Sequence, residues 1–189
     1  MRIIGGKLKG SLLFNTKDKG TRPLKDITKE SIFNLIVHSN KIDLKIEEAN
    51  VLDLYSGTGS FGLECLSRYA KSISFIEQDK NAVKILKKNI EKLKLKKKTN
   101  IFLSDVFKII KKRKNFSSSF DLIFCDPPFR NKNIEDLLQS ILISKLLKEK
   151  GIIIIHRNKN SQDNFPEFFK IVDSRSYGIS KIIFGNFLT

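Results

Sequence analysis

Cysteine is scarce in this 189-residue chain: Cys65 and Cys125 stand far apart, each inside an apolar pattern. That spacing offers no zinc-binding set and no disulfide framework, and it reads as two buried thiols of a reducing cytosol. Long apolar runs are missing too. None approaches the roughly 20 residues of a membrane span, and Met1-Arg2-Ile3-Ile4-Gly5-Gly6 lacks the apolar core of a signal peptide. A cytoplasmic protein with no membrane association and no metal is expected, and a monomer. Internal repeats and long linkers are absent, so the length fits one domain, or one domain with a small appendage. Acidic residues run short: 20 against 36 basic, for a formal net charge of +16. The imbalance points to a polyanionic partner, nucleic acid first. Only seven of the basic residues are arginine, however, and the codon bias of an AT-rich genome would yield the same lysine-rich mixture.

What is present is an alternation of strand and helix signals. Residues 2–14 alternate loosely around Gly5-Gly6 and Gly10 and predict a short hairpin. A turn at Thr21-Arg22-Pro23 follows, then a helix to about Val37 with Asp26 as its N-cap and Ile32, Phe33, Leu35 and Ile36 on its buried face. From Ala49 the reading is strand 50–54, helix 60–69, strand 72–76, helix 80–95, strand 99–103, a short helix 106–112, strand 120–125, helix 133–147 and strand 151–155. The tail, 168–172 and 179–187 around Tyr177-Gly178, reads as a closing hairpin. Repeated βα units imply an α/β fold, a Rossmann-like parallel sheet with helices on both faces. A C-terminal β-hairpin completes it, and residues 1–45 form an N-terminal hairpin-plus-helix extension to the main domain, 46–189.

Two stretches carry chemistry. Gly57-Thr58-Gly59-Ser60-Phe61-Gly62 is a G-x-G-x-x-G between a strand and a helix, and Glu77 closes the next strand, where an acid can bind ribose hydroxyls. An adenosine-bearing cofactor is expected. Asp53 separates the candidates: an acid before the first glycine would repel a dinucleotide pyrophosphate, whereas the ammonium and sulfonium of S-adenosylmethionine suit a carboxylate. Asp105 ends the third strand, where it either meets the adenine amino group or caps the following helix. The second stretch is Asp126-Pro127-Pro128-Phe129, at the end of the apolar run Phe120–Cys125. Its prolines fix a rigid turn. A carboxylate, the Pro127 carbonyl and a ring can hold an exocyclic amine and stack on its base. His156 is read as a surface or packing histidine and His38 as structural.

The set Asp53-Leu54-Tyr55-Ser56-Gly57-Thr58-Gly59, Glu77 and Asp126-Pro127-Pro128-Phe129 resembles class I S-adenosylmethionine-dependent methyltransferases acting on exocyclic amines. More narrowly, the chain is similar to the RsmD family, bacterial methyltransferases for a guanine N2 of small-subunit (16S) ribosomal RNA. The narrower resemblance rests on Arg2-Ile3-Ile4-Gly5-Gly6, Thr21-Arg22-Pro23 with Asp26, Glu30, Phe33 and Asn34, Gly62-Leu63-Glu64 with Leu66-Ser67-Arg68, and Tyr177-Gly178. It implies catalysis by Asp126, Pro127 and Phe129. Asp53, Tyr55, Gly57, Gly59, Glu77, Gln78 and Asp105 would hold S-adenosylmethionine. Arg22, Lys96, Lys97, Lys98 and Arg130 would meet RNA, with the extension as a lid on the RNA and cofactor side and the small ribosomal subunit as partner. The chain departs from the family at His156-Arg157, where an acid is frequent. Two other readings stay open on the residues: an adenine-N6 methyltransferase of DNA or RNA, and a non-enzymatic RNA-binding assembly factor on the same fold.

Overall fold

Five short apolar runs, each bounded by glycine, proline or polar residues, become the parallel strands of one sheet in the computed structural model, which describes residues 1–16, 24–128 and 133–188. They are β1 Asn50–Leu54, β2 Ser72–Glu77, β3 Thr99–Leu103, β4 Phe120–Cys125 and β5 Leu147–Asn158. The hairpin β6 Phe169–Tyr177 and β7 Ser180–Phe187 adds antiparallel to β5, giving the order β3-β2-β1-β4-β5-β7-β6. Helices α1 Asp26–His38, α2 Ser60–Ser67, α3 Lys80–Lys92, α4 Val106–Ile110 and α5 Ile134–Ile143 cover both faces. The order reverses between β1 and β4, and a crevice at such a switch point is where sheets of this kind take ligands.

Register decides what shares a face. Asp53 pairs with Phe75 and Phe124, so Asp53, Glu77 and Asp126 project from the side of the sheet that α1, α2 and α3 cover. The opposite side packs Leu52, Leu54, Ile123, Cys125, Ile153 and Ile155 against α4 and α5. Phe33 of α1 stacks on Phe61 of α2, and Phe61 on Phe124 of β4 at 3.8 Å, which fastens both helices to the strand that ends at Asp126. Burial pushes the Cys65 and Cys125 thiols above their ordinary range, so both are packing residues rather than nucleophiles.

The described residues of 1–45 share this core. Ile3, Leu13, Leu24, Ile32, Ile36, Ile42 and Leu44 join the same cluster as α2 and α3. The expected hairpin is reduced to one bridge, Arg2 to Leu12, around a 3₁₀ turn at Gly6–Leu8. That turn lies so close to α2 that a Cβ on Gly6, whose φ is +72°, would collide with the Ser67 backbone. Beneath it Glu64, fully buried, accepts from Ile4 N–H and Gly5 N–H (both 2.8 Å) and from Arg68 Nε (2.9 Å), and pairs with the buried Lys29 ammonium at 3.5 Å. Asp26 is the first residue of α1 rather than its N-cap, which is Lys25, because its carboxylate turns to Arg2 and Lys29. α5 ends at Ile143, and β5 starts at Leu147 instead of Gly151, since Phe120 N–H bonds to Leu146 O at 2.7 Å and pulls the polar 148–150 stretch into the sheet. No helix among the described residues is long and apolar enough to cross a membrane.

Candidate active site

The loop after β1 is wound tightly, with Tyr55, Gly57 and Gly59 all at positive φ (58°, 55° and 85°). A Cβ on Gly59 would run into Leu86, so that glycine is needed for close packing; one on Gly57 would meet nothing within 4 Å. Three buried polar side chains hold the loop. Glu77 accepts from Gly57 N–H at 2.7 Å with one oxygen and from Asp79 N–H at 2.8 Å with the other. Asp53 accepts from Gly62 N–H at 3.0 Å, in the first turn of α2. Asn89 of α3 donates to the carbonyls of Thr58 and Phe14 (both 3.1 Å) and accepts from Phe14 N–H at 2.7 Å, which splices the N-terminal segment to the loop.

Asp53 is 1% exposed. Burial holds its carboxyl well above the ordinary value near 3.8, the Gly62 hydrogen bond opposes that, and the nearby Asp126 and Glu77 charges add to it. The residues fit S-adenosylmethionine: two buried carboxylates, Asp53 and Glu77, beneath a tight loop and, among the described residues, open space over Gly57 and a buried Ser56 hydroxyl with no hydrogen-bond partner. One consequence is measurable. Because the folded-state carboxyl titrates above its unfolded value, Asp53 destabilises the fold progressively as pH rises from the ordinary carboxylate range through the raised value. Asp53→Asn keeps an acceptor for Gly62 and removes that burden. Its melting temperature should exceed the wild type's at mildly alkaline pH by about 2–4 °C per kcal/mol, and match it in acid, while affinity for the cofactor falls. A variant that melts no higher at alkaline pH would show the carboxyl to be ionised at no cost.

Asp126 stands one residue beyond β4, partly exposed, with its N–H toward Leu54 O at 3.4 Å. Its Oδ1 lies 2.8 Å from Nδ1 of His156, and Nε2 of His156 lies 2.9 Å from Ser180 Oγ. The neighbouring Arg157 is buried, clasps Asp163 through Nε and Nη2 (2.8–3.1 Å), and donates through Nη1 to the Pro128 carbonyl at 3.3 Å. The turn is thus held from both faces of β5. β1 and β4 being neighbours, the glycine loop and the Asp-Pro-Pro turn leave the same edge side by side.

Asp105 and Gln78 follow β3 and β2 at this same edge, Asp105 as the N-cap of α4, accepting from Lys108 N–H at 3.1 Å, and Gln78 exposed. Not every expected site residue gathers there. Lys96, Lys97 and Lys98 form a 3₁₀ turn that leads into β3, at the edge opposite the one where Asp53, Glu77 and Asp126 emerge. A five-residue strand separates the two edges by roughly 16 Å. Arg22, Phe129 and Arg130 lie outside the described residues. Conversely, His156, Ser180, Arg157 and Asn89 belong to the site's framework, and of these the sequence singles out His156, as a surface or packing histidine, and Arg157 only as part of the departure from the family. An amide on the apolar face of a lysine-rich helix is the available signal for Asn89; Ser180 offers none.

The sequence matches the family described as conserved hypothetical protein 95 over residues 1–186. It is 31% identical to ribosomal RNA small subunit methyltransferase D of Haemophilus influenzae over 180 residues, 95% of this chain and 90% of that protein. With the protein of the same name from Buchnera aphidicola subsp. Baizongia pistaciae it shares 34% identity over 159 residues, 83% and 76% of the two chains. Among solved structures, a candidate methyltransferase of Escherichia coli named yhhF superposes with a TM-score of 0.83 at 25% identity, covering 98% of this chain and 96% of that one. A candidate methylase of Haemophilus influenzae gives 0.78 at 28% identity, covering 100% and 98%.

Proposed function

The chain belongs to the RsmD family, described as conserved hypothetical protein 95, and we propose that it methylates ribosomal RNA, using S-adenosylmethionine to modify the exocyclic N2 of a guanine in the small-subunit RNA. The observation that carries this reading is the adjacency of the glycine loop and the Asp-Pro-Pro turn across the β1–β4 pair. S-adenosylmethionine, when bound, supplies an electrophilic methyl group. Asp53, Glu77 and the backbone of Tyr55 to Gly59 would hold it. An aromatic amine is a weak nucleophile because its lone pair is delocalised into the ring. Asp126 and the Pro127 carbonyl, accepting its two N–H bonds, orient the nitrogen; the Asp126 charge stabilises the positive charge that develops there and receives the departing proton. Correct alignment supplies much of the rate. The +16 charge supports a polyanionic substrate.

Incubation of the purified protein with labelled S-adenosylmethionine and either unmethylated small subunits, bare small-subunit RNA or duplex DNA tests the proposal. Label in a guanine N2 of the RNA is the expected result. Label in adenine, or in DNA, would replace it with the adenine-N6 reading, and calorimetry without cofactor binding would end the enzymatic reading altogether.

Because Lys96–Lys98 sit at the far edge, they can contribute only if RNA reaches around the sheet. The triple Lys→Glu variant should weaken RNA binding and lower the salt slope by up to about 0.7–0.9 for each phosphate that the lysines neutralise, with kcat unaltered. A slope equal to the wild type's would confine the RNA to the catalytic edge.

A further inference from the structure

Asp126 has two carboxylate oxygens, and the fold has already assigned one of them. Oδ1 is 2.8 Å from His156 Nδ1, and that imidazole, only 6% exposed, is bonded on its other side to Ser180 Oγ at 2.9 Å. The register explains the meeting. Cys125 pairs with Ile155, so the next residues, Asp126 and His156, fall on one side of the sheet. His156 pairs with Ile182 of β7, and Ser180, two residues earlier, shares that side.

The chemistry of the three groups constrains the protons, because both ring nitrogens serve a hydrogen bond. An ionised carboxylate can only accept, so Nδ1 must carry the hydrogen that faces Asp126. In a neutral imidazole Nε2 then holds a lone pair, which Ser180 satisfies by donating its hydroxyl hydrogen. We propose that His156 is a positioning residue for methyl transfer: its Nδ1–H fastens Oδ1 of Asp126, the acceptor-only carboxylate selects that tautomer while Ser180 holds the ring at Nε2, and Oδ2 is thereby the oxygen presented to the substrate amine. Without the histidine the carboxyl is free to rotate about its Cβ–Cγ bond, and the alignment of amine and methyl group degrades. His156 acts through Asp126, so its loss is expected in kcat rather than in KM. This inference rests on the proposed methyl transfer to an amine.

The chain has only two histidines, His38 and His156, and His38→Gln identifies the signal of each. A long-range proton–nitrogen correlation spectrum of the wild type, made with isotope-labelled histidine, should show His156 as the neutral ring protonated on Nδ1. Asp126→Ala, which removes the acceptor-only partner, should mix the two tautomers. A wild-type ring protonated on Nε2, or on both nitrogens, would overturn the assignment, and this readout needs no activity. In the transfer assay His156→Ala should lose about 10²-fold in kcat, as expected for a catalytic group left out of alignment, with KM for RNA and affinity for S-adenosylmethionine within about twofold of the wild type. His156→Asn, whose side-chain amide places an N–H where Nδ1–H stood, should recover most of that loss. Equal kcat for wild type and His156→Ala, or no difference between the Ala and Asn variants, would overturn the positioning role while leaving methyl transfer intact. A wild type without activity on any RNA would instead remove the proposed function.

Discussion

Asp126→Ala should lower the single-turnover rate of methyl transfer by at least about 10²–10³-fold, the range seen when one preorganised hydrogen-bonding group is removed from the place where charge develops. Two contributions vanish together. The amine loses the acceptor that orients it, and the nitrogen loses the negative charge that stabilises its positive charge and takes its proton. Cofactor affinity should change little, since Glu77, Asp53 and the loop backbone are held by their own hydrogen bonds to Gly57, Asp79 and Gly62. Asp126→Asn is the finer probe. Its amide oxygen can still accept from His156 Nδ1–H and preserve the geometry, but its other end is a donor facing a donor and cannot receive a proton. It should therefore fall nearly as far as alanine. Rapid-quench kinetics and calorimetry measure the two halves separately. If affinity for S-adenosylmethionine fell in step with the rate, Asp126 would belong to the cofactor site, and the amine would need another acceptor.

The frame of the molecule is largely legible in the sequence, and for a physical reason. β1, β3 and β4 are short apolar runs closed by glycine or polar residues or, at β4, by two prolines, so their ends follow from local chemistry, to the residue. Ends set by tertiary pairing are not legible: nothing local says that Leu147–Lys150 should join β5 or that α5 should stop at Ile143. The same division runs through the site. Asp53, Gly57, Gly59, Glu77 and Asp126 each sit at a strand end or in a loop whose type the sequence announces. His156 matters only because β5 lies beside β4, and Ser180 only because β7 lies beside β5; both facts are matters of sheet order. The lysine turn at 96–98 is a different case. In a βα alternation the helix-to-strand loops lie at the edge opposite the strand-to-helix loops, so its distance from the catalytic edge is implied by the order of elements, and the charge run outweighs that inference.

Glu64→Ala is expected to cost about 3–5 kcal/mol of stability, the toll of removing one partner from a buried ion pair, and to lower the melting temperature by roughly 6–20 °C at about 2–4 °C per kcal/mol. Glu64 gathers four donors on two oxygens: Ile4 N–H and Lys29 on Oε2, Gly5 N–H and Arg68 Nε on Oε1. Alanine strands two backbone amides at once and leaves the buried Lys29 ammonium with only the more distant Asp26 carboxylate, at 3.9 Å. Lys29 is the more dispensable partner. Burial pushes its ammonium below the ordinary lysine value against the opposing pull of Glu64 and Asp26, so the charge is held there at a cost. Lys29→Met alone should therefore destabilise far less than Glu64→Ala, and Lys29→Met added to Glu64→Ala should restore part of the stability, since it removes a buried charge left with a weaker partner. Denaturant melts of the two single variants and the double variant close the cycle. A Glu64→Ala protein within about 1 kcal/mol of the wild type would mean that water replaces the carboxylate, and that apolar packing with the Ser67 and Asn89 hydrogen bonds suffices to hold residues 1–16. The expected asymmetry has a bearing on function as well: Glu64 ties the N-terminal segment to the middle of α2, and Lys29 carries that tie to Ser60 at the helix's first turn, beside the loop that Asp53 and Glu77 hold. Loosening it should raise the dissociation constant for S-adenosylmethionine even at temperatures where the variant is fully folded.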